Sequence, residues 1–107
     1  MNIQDILELR PLITIAHHVP GRIRLRLDPR ILQHPAASAL ASLSEGQTDT
    51  GLLSARLNLL ARSLVLEYDT TRISPDELIA FIDGSDPDND VPLARKMASL
   101  LGIQLTG

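Results

Sequence analysis

Between Arg22 and Leu27, charged and aliphatic residues alternate without a break: Arg22, Arg24 and Arg26 interleave with Ile23, Leu25 and Leu27. Successive side chains of a strand point to opposite faces, so this segment predicts a strand with one aliphatic face and one cationic face. An apolar, β-prone run, Leu12 to Ala16, precedes it across the bend His17–Gly21. A primed hairpin turn needs a positive φ that Pro20 cannot adopt. One long strand with a bulge at Pro20-Gly21 is therefore the preferred reading, and two strands around a turn is the alternative. Leu53, Ala55 and Leu57 alternate with Ser54, Arg56 and Asn58, and Leu64, Leu66 and Tyr68 alternate with Ser63, Val65 and Glu67. These two runs predict a hairpin.

Helical spacing fills the intervals. Ile3, Ile6, Leu7 and Leu9 predict a helix over 2–9 that Pro11 stops, too short to be stable unless it docks. Pro35 opens a second helix to about Ser44, with Ala37, Leu40, Ala41 and Leu43 on its apolar face and Gly46 as its end. Ser74-Pro75-Asp76-Glu77 is a strong helix start, and that helix buries Leu78, Ile79 and Ile82 before Gly84. A last helix runs from Pro92 to Leu101, stopped by Gly102, with Ile103 to Leu105 as a possible short edge strand. The order strand, helix, strand, strand, helix, with additions at both ends, predicts an α+β ferredoxin-like split βαβ sandwich with two helices on one sheet face. Its core spans about residues 12–83, with 1–10 and 85–107 as terminal extensions of a single domain.

Composition narrows what such a domain can do. The chain has 107 residues, enough for one hydrophobic core. Aromatic residues make up 2%, with Tyr68 and Phe81 alone, so platforms for stacking bases or flat cofactors are nearly absent. A formal net charge of -3 argues against nucleic-acid affinity. The absence of cysteine removes disulfides, thiolate metal sites, iron–sulfur clusters and cysteine nucleophiles. No segment approaches the roughly 18 apolar residues of a membrane span, and the N-terminus has no basic leader, so the expectation is a soluble, cytoplasmic protein. No nucleophile elbow or phosphate-cradling glycine loop is present, and a non-enzymatic role is expected.

His18, Pro20-Gly21-Arg22-Ile23-Arg24-Leu25-Arg26, Gly51 through Arg56 with Asn58, and Ser63 through Asp69 together resemble the divergent heavy-metal-associated domain family. The resemblance covers about residues 12–83. It implies a metallochaperone-like fold, and a domain that occurs alone or ahead of the body of a cation-transporting P-type ATPase. Standard members hold soft metal with a Cys-x-x-Cys pair in the loop after the first strand. That loop corresponds here to Asp28 through His34, where no thiol is available. Copper(I) handling by that mechanism is excluded, because the soft ion prefers thiolate or thioether ligands and the only methionines are Met1 and Met97.

Two constellations remain as candidate sites. His17 and His18, with His34 as a third contributor, offer imidazole ligands to a divalent metal or to haem iron. Neighbours on an extended strand point apart, so one ion can take both only at a distorted bend or between two chains; partly exposed histidines at a bulge are the plainer reading. Arg22, Arg24 and Arg26, joined across the sheet by Arg56, can hold a phosphate, a haem propionate or an acidic partner surface. The alternative is a solvated sheet face balanced by Glu67 and its polar neighbours. Asp83, Asp86, Asp88 and Asp90 lack the glycine and the closing glutamate of a calcium loop and read as a solvated connection. The expectation is thus a binding domain accessory to metal or haem handling, or to a P-type cation transporter, through a His/Arg surface. The second reading is a metal-free protein-interaction or self-assembly module.

Overall fold

The computed structural model describes residues 2–34, 51–58 and 60–103. Its framework is a four-stranded antiparallel sheet of order β1-β2-β4-β3, formed by β1 (Ile13–Val19), β2 (Arg22–Leu27), β3 (Leu52–Asn58) and β4 (Ser63–Tyr68). Among the described residues three α-helices accompany it: α1 (Ile3–Leu9), α2 (Pro75–Asp83) and α3 (Asp90–Leu101). This α+β arrangement is compatible with a ferredoxin-like fold. The helix expected over 35–44 and the end of the edge strand expected over 103–105 lie outside the described residues.

The preferred reading of residues 12–27 as one strand is corrected. β1 and β2 are antiparallel partners, with Val19 opposite Arg22 and His18 opposite Ile23 across the turn Pro20-Gly21. Proline supplies the fixed negative φ and Gly21 stands at +91°, the proline-then-glycine order of a type II turn. Excluding primed turns therefore did not exclude a hairpin. The bulge exists, but it lies one turn of the ladder away: the register shifts between Ile15 and His17, around Ala16.

Each helix shows its local cause. In α1, the Asn2 side chain accepts from the Asp5 amide at 2.9 Å, and the Asp5 carboxylate accepts from the Asn2 amide at 3.0 Å. Seven residues cannot hold a helix unaided, and Ile6 and Leu9 are buried against the rest of the protein. In α2, Ser74 caps Glu77, Pro75 occupies the first turn and Gly84 ends the helix with φ +69°. The start expected for α3 at Pro92 moves to Asp90. Pro92 sits in the first turn, where its missing N–H has no carbonyl to serve.

All three helices lie on the same side as Ile23, Leu25, Leu64 and Leu66. Leu9 of α1, Leu78 and Ile82 of α2, and Leu93, Met97 and Leu101 of α3 join these strand residues and Tyr68 in one buried cluster. The terminal segments therefore belong to the same core as the strands. Each fully buried Leu or Ile contributes roughly 1.5–3 kcal/mol relative to exposure. Gly51 anchors this layer to the sheet: its amide donates to the Leu100 carbonyl at 2.8 Å, and a side chain there would meet Ile73 at 2.8 Å.

Candidate functional site

The alternating strands give the sheet a second face that none of the helices among the described residues covers. Arg22, Arg24 and Arg26 are exposed while Ile23, Leu25 and Leu27 are buried, as the alternation requires. Register then assembles three cross-strand rows on the open face. Val19, Arg22, Glu67 and Ser54 form one; His17, Arg24, Val65 and Arg56 form the next; Thr14, Arg26, Ser63 and Asn58 form the third. Arg24 and Arg56 thus flank Val65 from the two neighbouring strands, about 10 Å apart at the backbone. Arg56 therefore shares a cross-strand row with Arg24, two strands away.

The face is cationic and open. Arg22 and Glu67 are directly opposite in register, yet none of Arg22, Arg24, Arg26 and Arg56 forms an ion pair with another described residue. Side chains two residues apart on β2 rise about 7 Å along it, where like charges in water repel by roughly half a kcal/mol per pair. An anion set between them relieves that repulsion. Apolar groups border the charges: Val19 is 44% exposed and Leu53 66% exposed, the latter turned outward where β3 bulges between Leu52 and Ser54.

The three histidines do not converge. In the regular alternation of β1, His17 would follow Ile13 and Ile15 to the inner face. The bulge at Ala16 reverses that phase. His17 is exposed on the arginine face, opposite Arg24, whereas His18 is half-buried on the inner side, opposite Ile23. There its Nε2 shares a hydrogen bond of 2.7 Å with the hydroxyl of Tyr68, a side chain only 2% exposed. His18 therefore satisfies the polar end of a buried phenol. His34 lies after the short 3-10 segment Pro29–Gln33, and its Nε2 is 3.0 Å from the Glu8 carboxylate of α1. Among the described residues no group of three or more His, Asp or Glu side chains is placed to hold a metal ion.

The loop that would carry a thiol pair in the heavy-metal-associated pattern instead opens on an Asp28–Arg30 cap. Asp28 accepts from the Arg30 amide at 2.9 Å and from the Arg30 guanidinium at 3.0 Å through Nε and Nη2. Those bonds hold the Asp28 carboxyl below the usual carboxylate range and raise the guanidinium. The acidic stretch is similarly occupied: Asp83 accepts from the Ser85 amide at 2.9 Å, and Asp90 pairs with Arg10 at 2.8 Å.

Two features escape sequence reasoning. The Arg10–Asp90 pair spans eighty residues of chain with no local signal at either end. The small register shift at Ala16 has no glycine to mark it. No helix among the described residues is long and apolar enough to cross a membrane. Comparison with protein-family models, with curated proteins and with solved structures finds no match to this chain.

Proposed function

We propose that this protein is a non-enzymatic binding domain that docks through its open sheet face onto an acidic surface of another protein. The observation that carries the reading is the set Arg22, Arg24, Arg26 and Arg56 on one face that no described helix covers, unpaired with any described residue and set beside the carboxylate of Glu67. Arginines interspersed with exposed Val19 and Leu53 suit a protein interface, where guanidinium groups and apolar contact act together. A nucleic-acid surface of this architecture would need stacking aromatics, and Tyr68 is turned into the core. The resemblance to heavy-metal-associated domains points to a cytoplasmic partner such as the body of a cation-transporting ATPase, approached without a thiol site.

Haem or divalent-metal handling is the second reading, favoured by one observation: His17 stands in the same row as Arg24 and Arg56. It offers one axial imidazole beside two groups able to pair with a propionate.

Titration with a hexa-aspartate peptide, followed by calorimetry at two salt concentrations, tests the first reading. Salt-sensitive binding that falls at least tenfold in the Arg24→Glu/Arg56→Glu variant is the expected outcome. Binding unchanged in that variant, or no binding by the intact protein, overturns it. A parallel haemin titration whose Soret shift disappears in His17→Ala transfers the surface to the second reading.

A further inference from the structure

At the end of the sheet where β3 turns into β4, two side chains depart from what a tight polar turn calls for. Leu60 is 100% exposed at the tip, and Arg62, two residues on, holds a φ of +52° that glycine or asparagine ordinarily fills. Both are held in place. The Asn58 side chain accepts from the Ala61 amide at 3.0 Å, and the Arg62 carbonyl accepts from the Leu27 amide at 2.8 Å, which ties the tip to β2. The turn thus presents an aliphatic side chain to solvent with a cation next to it, at a cost in backbone strain.

Beside the tip is an open groove of about 470 Å³ whose walls include Thr14, Arg26, Asp28, Pro29, Ala61 and Arg62. Arg26 and Arg62 are exposed, and neither forms an ion pair with a described residue. The Asp28 carboxylate in the wall is already neutralised by Arg30, with both oxygens bonded at 3.0 Å. Leu32, 54% exposed, lies on the 3-10 segment that leaves β2 at this same end. The acidic stretch lies elsewhere: Asp83 sits beside Ile13 and Ile15 of β1, two strand spacings from β4. That is about 10 Å, beyond the roughly 8 Å over which exposed charges act at physiological salt.

Two guanidinium groups and a hydroxyl around an open groove suit a phosphate. A convex leucine tip beside them would need a matching pocket on a protein, whereas a bilayer accepts it without one and supplies phosphates at the level of the arginines. We infer that this end of the sheet rests on an anionic phospholipid surface, a lipid phosphate lying between Arg26 and Arg62 and the Leu60 side chain entering the acyl boundary. The contact is peripheral and shares only Arg26 with the proposed docking face.

Flotation of the intact protein with vesicles of phosphatidylcholine alone, or of equal parts phosphatidylcholine and phosphatidylserine, tests this. The chain has no tryptophan, so Leu60→Trp places a single reporter at the tip. The protein should float with the anionic vesicles only, and the emission of Leu60→Trp should shift to the blue with them. Leu60→Ser should weaken binding by roughly fivefold or more. Arg62→Gly removes the cation and the unfavourable φ together, so binding should fall about fivefold while the thermal midpoint stays at or above that of wild type. Arg72→Gln loses the same charge at the opposite end of β4, from an exposed position, and should change binding by less than about twofold. The inference is overturned if phosphatidylserine vesicles bind no better than phosphatidylcholine ones, if the tryptophan emission does not move, or if Arg72→Gln weakens binding as much as Arg62→Gly. Saturable shifts of the Arg26 and Arg62 amides with inorganic phosphate, without vesicle binding, would mark a free-anion site and also overturn it. Hexa-aspartate binding is read separately in Arg24→Glu/Arg56→Glu, so the docking reading and this one can fail independently.

Discussion

The two faces of one sheet are built from the same alternation and do opposite work. The inner face, Ile23, Leu25, Leu64, Leu66 and Tyr68, is sealed by three helices and is at most 3% exposed. The outer face, Arg22, Arg24, Arg26 and Arg56, carries charge and meets solvent. A strand of period two cannot separate these roles along the chain; it separates them across the sheet. Packing therefore belongs to one side and exposed charge to the other, and substitutions one residue apart should have unrelated consequences.

Leu64→Ala gives the sharpest contrast. Leu64 is 1% exposed at the centre of the core, and its truncation should cost about 2–5 kcal/mol, whereas Arg24→Ala on the neighbouring strand should stay within about 0.5 kcal/mol. Chemical denaturation of both variants measures the difference, and equal losses would abolish the division of labour.

The paired histidines put the same contrast on adjacent residues. His18→Ala leaves the buried Tyr68 hydroxyl without its partner and should cost about 1–3 kcal/mol, while His17→Ala on the outer face should change stability by less than about 0.5 kcal/mol. Thermal unfolding of the two variants decides it; the reverse order would mean that the bulge at Ala16 does not set their directions.

The smallest effect lies at the rim, where the two faces meet the loop after β4. Asp69 accepts from the Thr71 hydroxyl at 2.6 Å and from the Thr71 amide at 2.9 Å, and these bonds lower its pKa. A depressed folded value means stability that is present above the unfolded value, about 3.9, and lost as the pH falls through the folded one. Asp69→Asn should accordingly be slightly less stable than wild type near neutral pH. That gap should close on acidification below the ordinary carboxylate range, as read from denaturation midpoints across pH. A gap that persists in acid would assign the effect to something other than the charge.

Much of the architecture was legible from short-range pattern. The cap at Ser74, the stops at Gly84 and Gly102 and the alternation of β2 and β4 all follow from interactions within a few residues. The turn at Pro20-Gly21 is not legible from the preference of short hairpins for primed turns, because Gly21 at +91° allows a type II geometry instead. The candidate site divides in the same way. Arg22, Arg24 and Arg26 were readable as one row from their spacing, but the loss of His18 to Tyr68 depends on a residue fifty positions away.

What the sequence by itself determined is the segregation of guanidinium from aliphatic side chains along β2, because the pleat of an extended chain is a local property. Only the tertiary structure decided that the three described helices pack on the aliphatic side, that Arg56 lines up with Arg24 through Val65, and that His17 rather than His18 joins them. Those outcomes depend on register and on one extra residue in β1. Both are set by how whole strands and helices fill the core together, which no window of neighbouring residues encodes.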